Sequence, residues 1–404
     1  MSNQKKLLGI GFFGFIILVA VGFTIYTSQS FEAETTEEPI KKEIPEKTIK
    51  ENYSLITDLP CENYQKRAYA IMYSGDRSAR QYFSNLSLAD FVLEIPHRYV
   101  HGQPRLMGVF QCNIPDIVGP MRSGRVDHIS VAASLDAIYV PWGGSSIGKS
   151  LLKRGVVDLI DCNGEVYPGG EGACFRREGP MSMLEKASTS VPDLMEISKR
   201  MEYRETSNFE GFPHKEDKPI EKRPEFTEIE IGFEAPSNVK YVYDPESNSY
   251  KRYFDGSKDI DYETKQQYAP KNLIVIFTQK EPWLVEVDYT AQGHWDPWQG
   301  VDKQHRKNDS GQYPNMQLGD AWFDSKTEGE AIFFLDGEKI TGSWKKGREA
   351  SDRFQFFDET GEEIKFVPGQ IWMHVLEDYQ TYSYNNNQAQ VKQQSEPDSL
   401  NEPN

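Results

Sequence analysis

The sequence predicts an α+β protein: a mixed α/β first domain followed by a mostly antiparallel β second domain, after an N-terminal transmembrane helix. Three observations lead there. Residues 7–26, LLGIGFFGFIILVAVGFTIY, run for twenty residues without a charge. Short apolar runs and helical stretches then alternate through residues 58–205, as in a mixed layer fold. From residue 228 onward, period-two alternation and turn dipeptides dominate, as in antiparallel hairpins.

At about 1.5 Å per residue the first run makes a helix about 30 Å long, the thickness of a bilayer core, with no polar stripe. Lys5 and Lys6 precede it, and Glu32, Glu34, Glu37 and Glu38 follow. Residues 1–6 therefore read as a cytoplasmic stub, 7–26 as a single-pass anchor in the cell membrane, and the long C-terminal portion as extracytoplasmic. A cleaved signal peptide would have a shorter apolar region and a small-residue cleavage site, which Ile25-Tyr26-Thr27-Ser28-Gln29-Ser30 does not supply. Residues 27–57, rich in Glu, Lys, Thr and Pro, read as a disordered tether.

Within 58–205, strands are expected at 68–72, 91–93, 106–110 and 137–140, and helices at 129–133 and 147–152. Residues 206–227, with Pro213, Pro219 and Pro224, read as a charged connection. In the β domain, 228–382, residues 228–233 alternate cleanly, and 241–243 and 250–253 flank the Asp244-Pro245 turn. Residues 273–277 and 283–287 are further strands. The runs 331–335 and 339–344 flank Asp336-Gly337, which suits the positive φ of a type I′ turn. A last hairpin, 354–357 and 364–366, turns at Thr360-Gly361, and 371–375 is the final strand. Residues 383–404, rich in Asn, Gln, Ser and Pro, read as a disordered tail.

Aromatic residues make up 12% of the chain, too many for a wholly disordered one. The formal charge is −17, which argues against nucleic acid as a partner. The charge is uneven. Residues 61–200 carry 16 Lys+Arg against 15 Asp+Glu, a net of +1, whereas 201–404 carry 23 against 39, a net of −16. The four cysteines contain no Cys-x-x-Cys, which removes support for a zinc ribbon or a thioredoxin-type motif. Outside the cell they allow three pairings. Cys61 with Cys112 and Cys162 with Cys174 is the favoured one, and free buried thiols are the alternative.

The first portion resembles the YerB-like family of bacterial predicted lipoproteins, which has an N- and a C-terminal half. The resemblance rests on Ser78-Ala79-Arg80, on Leu88-Ala89-Asp90 with Val92 and Glu94, and on Pro104-Arg105-Leu106-Met107. Its most specific stretch is 114–145, with Val118-Gly119-Pro120-Met121-Arg122-Ser123-Gly124-Arg125, Asp136-Ala137-Ile138-Tyr139 and Trp142-Gly143-Gly144-Ser145. The second half matches through 241–253, Gly342-Ser343-Trp344-Lys345-Lys346 and Pro368-Gly369-Gln370-Ile371-Trp372. The resemblance implies an extracytoplasmic, membrane-attached protein of unassigned role. The chain departs from the family in two places. No cysteine follows the apolar run for lipid attachment, and Phe175-Arg176-Arg177 is followed by Gly179-Pro180-Met181-Ser182 rather than a Pro-His-Asn motif.

Arg105, Arg122 and Arg125 stand close in sequence to Asp90 and Glu94. Guanidinium forks bind carboxylate or phosphate in two-pronged fashion, so this is the natural seat for an anionic ligand. The competing reading pairs these arginines internally with Glu94 and Asp90. The candidate ligand-binding set is Glu94, Arg105, Arg122, Ser123, Arg125, Tyr139, Gly143, Gly144 and Ser145. Residues 143–150, GGSSIGKS, fit a P-loop spacing, but a tight strand-to-helix turn fits as well. His97 and His101 lie four apart, yet Pro96, Gly102 and Pro104 break any helix that would align them on a metal. The loop Gly293-His294-Trp295-Asp296-Pro297-Trp298 presents tryptophans suited to stacking on sugar rings. Asp320, Asp324 and Glu328 read as a solvated surface. No cofactor, metal site or catalytic residue is assigned. The expected function is a binding or scaffolding module for an anionic cell-envelope component or an envelope partner protein. The alternative is an enzyme processing cell-wall glycan or peptide, with the arginines orienting the substrate and Glu94 as base.

Overall fold

A computed structural model describes most of the chain between residues 50 and 389. Residues 1–49, 97–103, 145, 165, 167–168, 234–236, 279, 285–311, 317, 320–325, 378–379, 386 and 390–404 lie outside the description. The expected span 7–26, His97, His101, Ser145 and the tryptophan loop 293–298 therefore fall outside it, as do Asp320, Asp324 and most of the expected disordered tail 383–404, whose first residues instead enter the strands Tyr382–Tyr384 and Asn387–Ala389. Among the described residues no helix is long and apolar enough to cross a membrane.

The first half contributes β1 (Tyr69–Tyr73), β2 (Phe91–Pro96), β3 (Pro104–Phe110), β4 (Ile138–Val140), β5 (Cys174–Arg176) and β6 (Ala187–Thr189). Its helices are short: Arg77–Arg80, Val126–Ser134, Ser146–Lys153 and Val191–Arg200. The second half contributes β7 (Glu228–Ile231), β8 (Val239–Asp244), β9 (Ser249–Phe254), β10 (Ser257–Lys258), β11 (Asn272–Thr278), β12 (Lys280–Leu284) and β13 (Gln312–Met316). It continues with β14 (Glu328–Leu335), β15 (Glu338–Lys345), β16 (Gln355–Asp358), β17 (Ile371–Glu377), β18 (Tyr382–Tyr384) and β19 (Asn387–Ala389). The fold is mixed, with few helices and many strands. The Asp336-Gly337 hairpin forms as expected, with φ of 54° and 77° at its two central residues.

Nine strands make one sheet in the order β16-β15-β14-β11-β17-β2-β3-β1-β4. It draws on both sides of the charged connection 206–227. The join is the parallel pair β17–β2, which sets Ile371 beside Phe91 and His374 beside Glu94. A six-stranded sheet, β10-β9-β8-β7-β18-β19, comes wholly from the second half.

The central strands of the nine-stranded sheet are buried on both faces, so they read as continuous apolar runs. One face packs Met72, Leu93, Ile95, Met107 and Met373 with Ile129 and Ala132 of helix Val126–Ser134. The other packs Ile71, Val92, Leu106 and Trp372 with Ile229, Tyr241 and Tyr250 of the six-stranded sheet. Both expected disulfides form, Cys61–Cys112 and Cys162–Cys174, with Cα separations of 5.1 and 5.4 Å.

An ion cluster sits between the two sheets. Glu94 is wholly buried on β2. It accepts from Arg80 Nη2 at 2.7 Å and from Arg252 Nη2 at 2.9 and 3.0 Å. Asp259 pairs with Arg252 and lies 3.4 Å from Arg80 Nη1. Tyr241 Oη accepts from Arg252 Nε at 3.1 Å and meets His374 Nε2 at 3.0 Å, while His374 Nδ1 faces Glu94 at 3.4 Å. Arg252 lies over Trp372 and Arg80 over Phe254, at 4.7 and 3.8 Å from the ring centres. Two guanidiniums balance two carboxylates, so the cluster carries no net charge. Burial by itself would raise the Glu94 carboxyl, but the charges of Arg252 and Arg80 outweigh it and hold the group well below the usual carboxylate range.

Removing one member leaves buried charge uncompensated. Glu94→Ala should lower the unfolding free energy by about 3–5 kcal/mol in urea titrations. Arg77→Ala, which breaks the exposed pair with Asp255, should change it by less than about 1 kcal/mol.

Candidate functional site

Strands β1, β2 and β4 run in one direction, and β3 is antiparallel to both β1 and β2. The carboxyl ends of three strands and the start of β3 thus share one edge, where open α/β sheets commonly place ligands. Segment 121–125 crosses this edge. Met121 bridges Tyr73, Arg122 N–H donates to Met72 O at 3.1 Å, and Gly124 N–H donates to Gly143 O at 2.9 Å. Gly124 is required by close approach, because a Cβ there would stand 2.7 Å from Tyr139 Oη. Helix Val126–Ser134 begins next, with Arg125 as an N-cap that makes no side-chain cap bond. The helix N-terminus, with no side-chain cap bond from Arg125, lies at this edge.

Arg105, at the start of β3, is 7% exposed. Its Nη1 donates to Ser123 O at 2.8 Å, and its Nε has no hydrogen-bond partner among the described residues. Burial pushes this guanidinium down to about 9, repulsion from Arg125 and Arg122 adds to the shift, and Asp76 opposes it. Arg122 donates to Asp76 Oδ2 through Nη2 at 2.7 Å and Nε at 3.1 Å. Burial would raise Asp76, but Arg122 holds it below its ordinary value. Arg125 Nη1 donates to Gly124 O at 2.8 Å, and its N–H to Tyr139 Oη at 3.2 Å. Beneath them His128 Nε2 lies 3.4 Å from Arg105 O, and its buried Nδ1 has no partner among the described residues. Among the described residues Arg122 and Arg105 act on Asp76, Arg122 also acts on Glu185, and Asp127 lies in the first helical turn. With Arg105 Nε left unpartnered among the described residues, this arrangement can hold an anion.

The other expected residues take different parts. Glu94 is not in this cluster. In the β2–β3 register it sits opposite Leu106, whereas Arg105 sits opposite Ile95, so alternation sends the two side chains to opposite faces. The expected internal pairing with Glu94 and Asp90 is also replaced. Arg122 pairs with Asp76, and Asp90 accepts the backbone N–H groups of Gln111 and Cys112 at 2.7 and 3.1 Å. Tyr139 is buried, and it walls Gly124 rather than facing the edge. Ser123 contributes its carbonyl. Gly143, at φ 69°, donates its N–H to Asp161 Oδ1 at 3.1 Å. Asp161 also takes the N–H groups of Asn163 and Val166, so the Gly143 N–H is held by a carboxylate of the chain itself. Strand Ile138–Val140 and helix Ser146–Lys153 flank this glycine. Gly144 bridges Gly124.

Sequence reasoning missed Asp76, His128, Arg80, Arg252, Asp259 and His374. Two signals were available: Arg252 shares the inward face of β9 with Tyr250, and His374 interrupts an apolar strand, IWMHVLE.

Residues 56–205 match the N-terminal domain, and residues 229–373 the C-terminal domain, of a family described as protein of unknown function DUF3048. A Bacillus subtilis protein described as "Putative lipoprotein YerB" is 25% identical over 346 residues, which are 84% of this chain and 90% of that protein. The crystal structure of the YerB protein from Bacillus subtilis matches with a TM-score of 0.61 at 20% identity. The match covers 83% of this chain and 99% of that one, and it shows a shared fold.

His128 and Asp90 give opposite pH responses. Burial pushes the His128 imidazole down to about 3, and the Arg105 and Arg125 charges add to it. An unfolded imidazole titrates near 6.5, so protons favour the unfolded chain, and stability drops as pH falls from about 6.5 toward 3. Burial pushes Asp90 up to about 6, so its contribution favours the fold as pH falls from about 6 toward 3.8. Urea midpoints measured across this range should fall less steeply with acid in His128→Gln, and more steeply in Asp90→Asn, than in the parent.

Proposed function

Since this chain belongs to the DUF3048 family and carries both of its domains, we propose that it is a membrane-attached extracytoplasmic binding protein. Its Arg105–Arg122–Arg125 edge takes an anionic cell-envelope component, or an anionic group on an envelope partner. The observation that carries the reading is Arg105: a guanidinium more than nine-tenths buried, its Nε unpartnered among the described residues, beside two further arginines and an uncapped helix N-terminus. The apolar run 7–26 and the lipoprotein description of the Bacillus subtilis relative support attachment to a membrane. The enzyme alternative loses its base, because Glu94 is neutralised by two guanidiniums on the opposite face of the sheet.

Thermal unfolding against pyrophosphate, polyphosphate, muropeptides and a neutral glycan tests the reading. An anion at 100 times its dissociation constant should add about 2.7 kcal/mol, a rise of a few degrees in Tm. The rise should vanish in Arg105→Gln and in Arg125→Gln, the second being a check if the first is poorly folded. A neutral glycan should give none. No shift with any anion would remove the reading.

A further inference from the structure

The arginine edge is fastened to an exposed apolar tip. Between β5 and β6, residues 179–184 read Gly-Pro-Met-Ser-Met-Leu, six residues without a charge. Met183 and Leu184 are each 63% exposed, the most exposed large apolar side chains among the described residues. Single exposed apolar residues are ordinary, but two adjacent ones on a braced turn are not. The bracing is polar and internal. Arg122 Nη1 donates to Leu184 O and Arg176 Nη1 to Met183 O, both at 2.5 Å. Ser182 N–H donates to Glu185 Oε2 at 2.9 Å, and Glu185 N–H to Ser182 Oγ at 3.3 Å. The carbonyls of Ser182, Met183 and Leu184 are taken up by the protein, while the Met183 and Leu184 side chains stay exposed. Arg176 also stacks on Trp142, 4.9 Å from the ring centre, so the tip is flanked by guanidiniums.

We propose that this tip docks the body on a bilayer of anionic phospholipid. Met183 and Leu184 enter the acyl boundary, and the arginine edge meets the headgroup phosphates through its more accessible members, Arg122, Arg125 and Arg176. The proposal rests on the anion reading of that edge and adds a lipid as its source. A membrane fits better than a soluble partner for two reasons. The half that carries the tip has a net charge of +1 and the other half −16, so an anionic surface orients the body with the tip toward it. The 23 residues between position 26 and Lys50 span at most about 80 Å, so a body held by the expected anchor stays within reach of the bilayer.

Residues 50–404 form one compact unit that holds both cores and both disulfides, so the body can be tested without the apolar run. Flotation uses vesicles of phosphatidylcholine alone and of equal parts phosphatidylcholine and phosphatidylglycerol, with inorganic pyrophosphate in a parallel thermal-shift arm. Binding to the anionic vesicles should be at least about tenfold tighter than to phosphatidylcholine and should weaken with salt. Met183→Ser with Leu184→Ser should weaken it at least about tenfold while leaving the pyrophosphate shift intact. A pyrophosphate shift without flotation would overturn the lipid proposal and leave the anion site standing. Neither signal would remove both. Flotation unaffected by the double substitution, or equal on neutral vesicles, would also overturn the proposal.

Discussion

Glu94 cannot be buried by either half of the chain alone. A carboxylate in the interior costs several kcal/mol unless guanidiniums and hydrogen bonds replace its water. Arg80 comes from the short helix after β1, Arg252 from β9 and His374 from β17. The charge is balanced only when β17 lies beside β2 and the six-stranded sheet covers their shared face. A one-residue slip of β2 would send Glu94 to the opposite face, away from both arginines. The cluster therefore ties the register of the central strands to the docking of the two halves.

That register also decides where the arginine edge lies. Because Glu94 points toward the six-stranded sheet, its neighbour in the ladder, Ile95, and the facing Arg105 point the other way. Arg105 then emerges at an edge shared by the ends of β1, β2 and β4, where segment 121–125 delivers Arg122 and Arg125. One carboxylate-rich cluster and one arginine-rich edge stand on opposite faces of the same two strands. The first is charge-balanced and closed. The second keeps a buried donor, Arg105 Nε, that is unpartnered among the described residues.

The arginine edge is mechanically continuous with the loop between β5 and β6 through Arg122, which holds Asp76 with one side of its fork and Leu184 O with the other. Cys162–Cys174 closes a loop of separation 12 just before β5 and limits how far this region can move.

Much of this was legible from local pattern. Strands at 68–72, 137–140 and 273–277 and the Asp336-Gly337 hairpin follow from apolar runs and turn chemistry, whereas the four thiols allowed three pairings, of which the favoured one forms. Family membership followed from short motifs such as Val118-Gly119-Pro120-Met121-Arg122. The arginines of the candidate site were named because three of one type stand close together. Their partners were not. Side-chain alternation is a property of a ladder, so sequence proximity alone put Glu94 and Asp90 beside Arg105, and the register of β2 against β3 separated Glu94 from it. The sequence by itself determined the elements, the uneven charge and the identity of the clustered arginines, because these depend on residues a few positions apart. Only the tertiary structure decided that strands from both halves share one sheet, that Glu94 belongs to Arg80 and Arg252, and that Arg122 clamps the Met183–Leu184 tip. Those outcomes depend on contacts between residues tens to hundreds of positions apart, where burial and charge balance, not local propensity, select the partner.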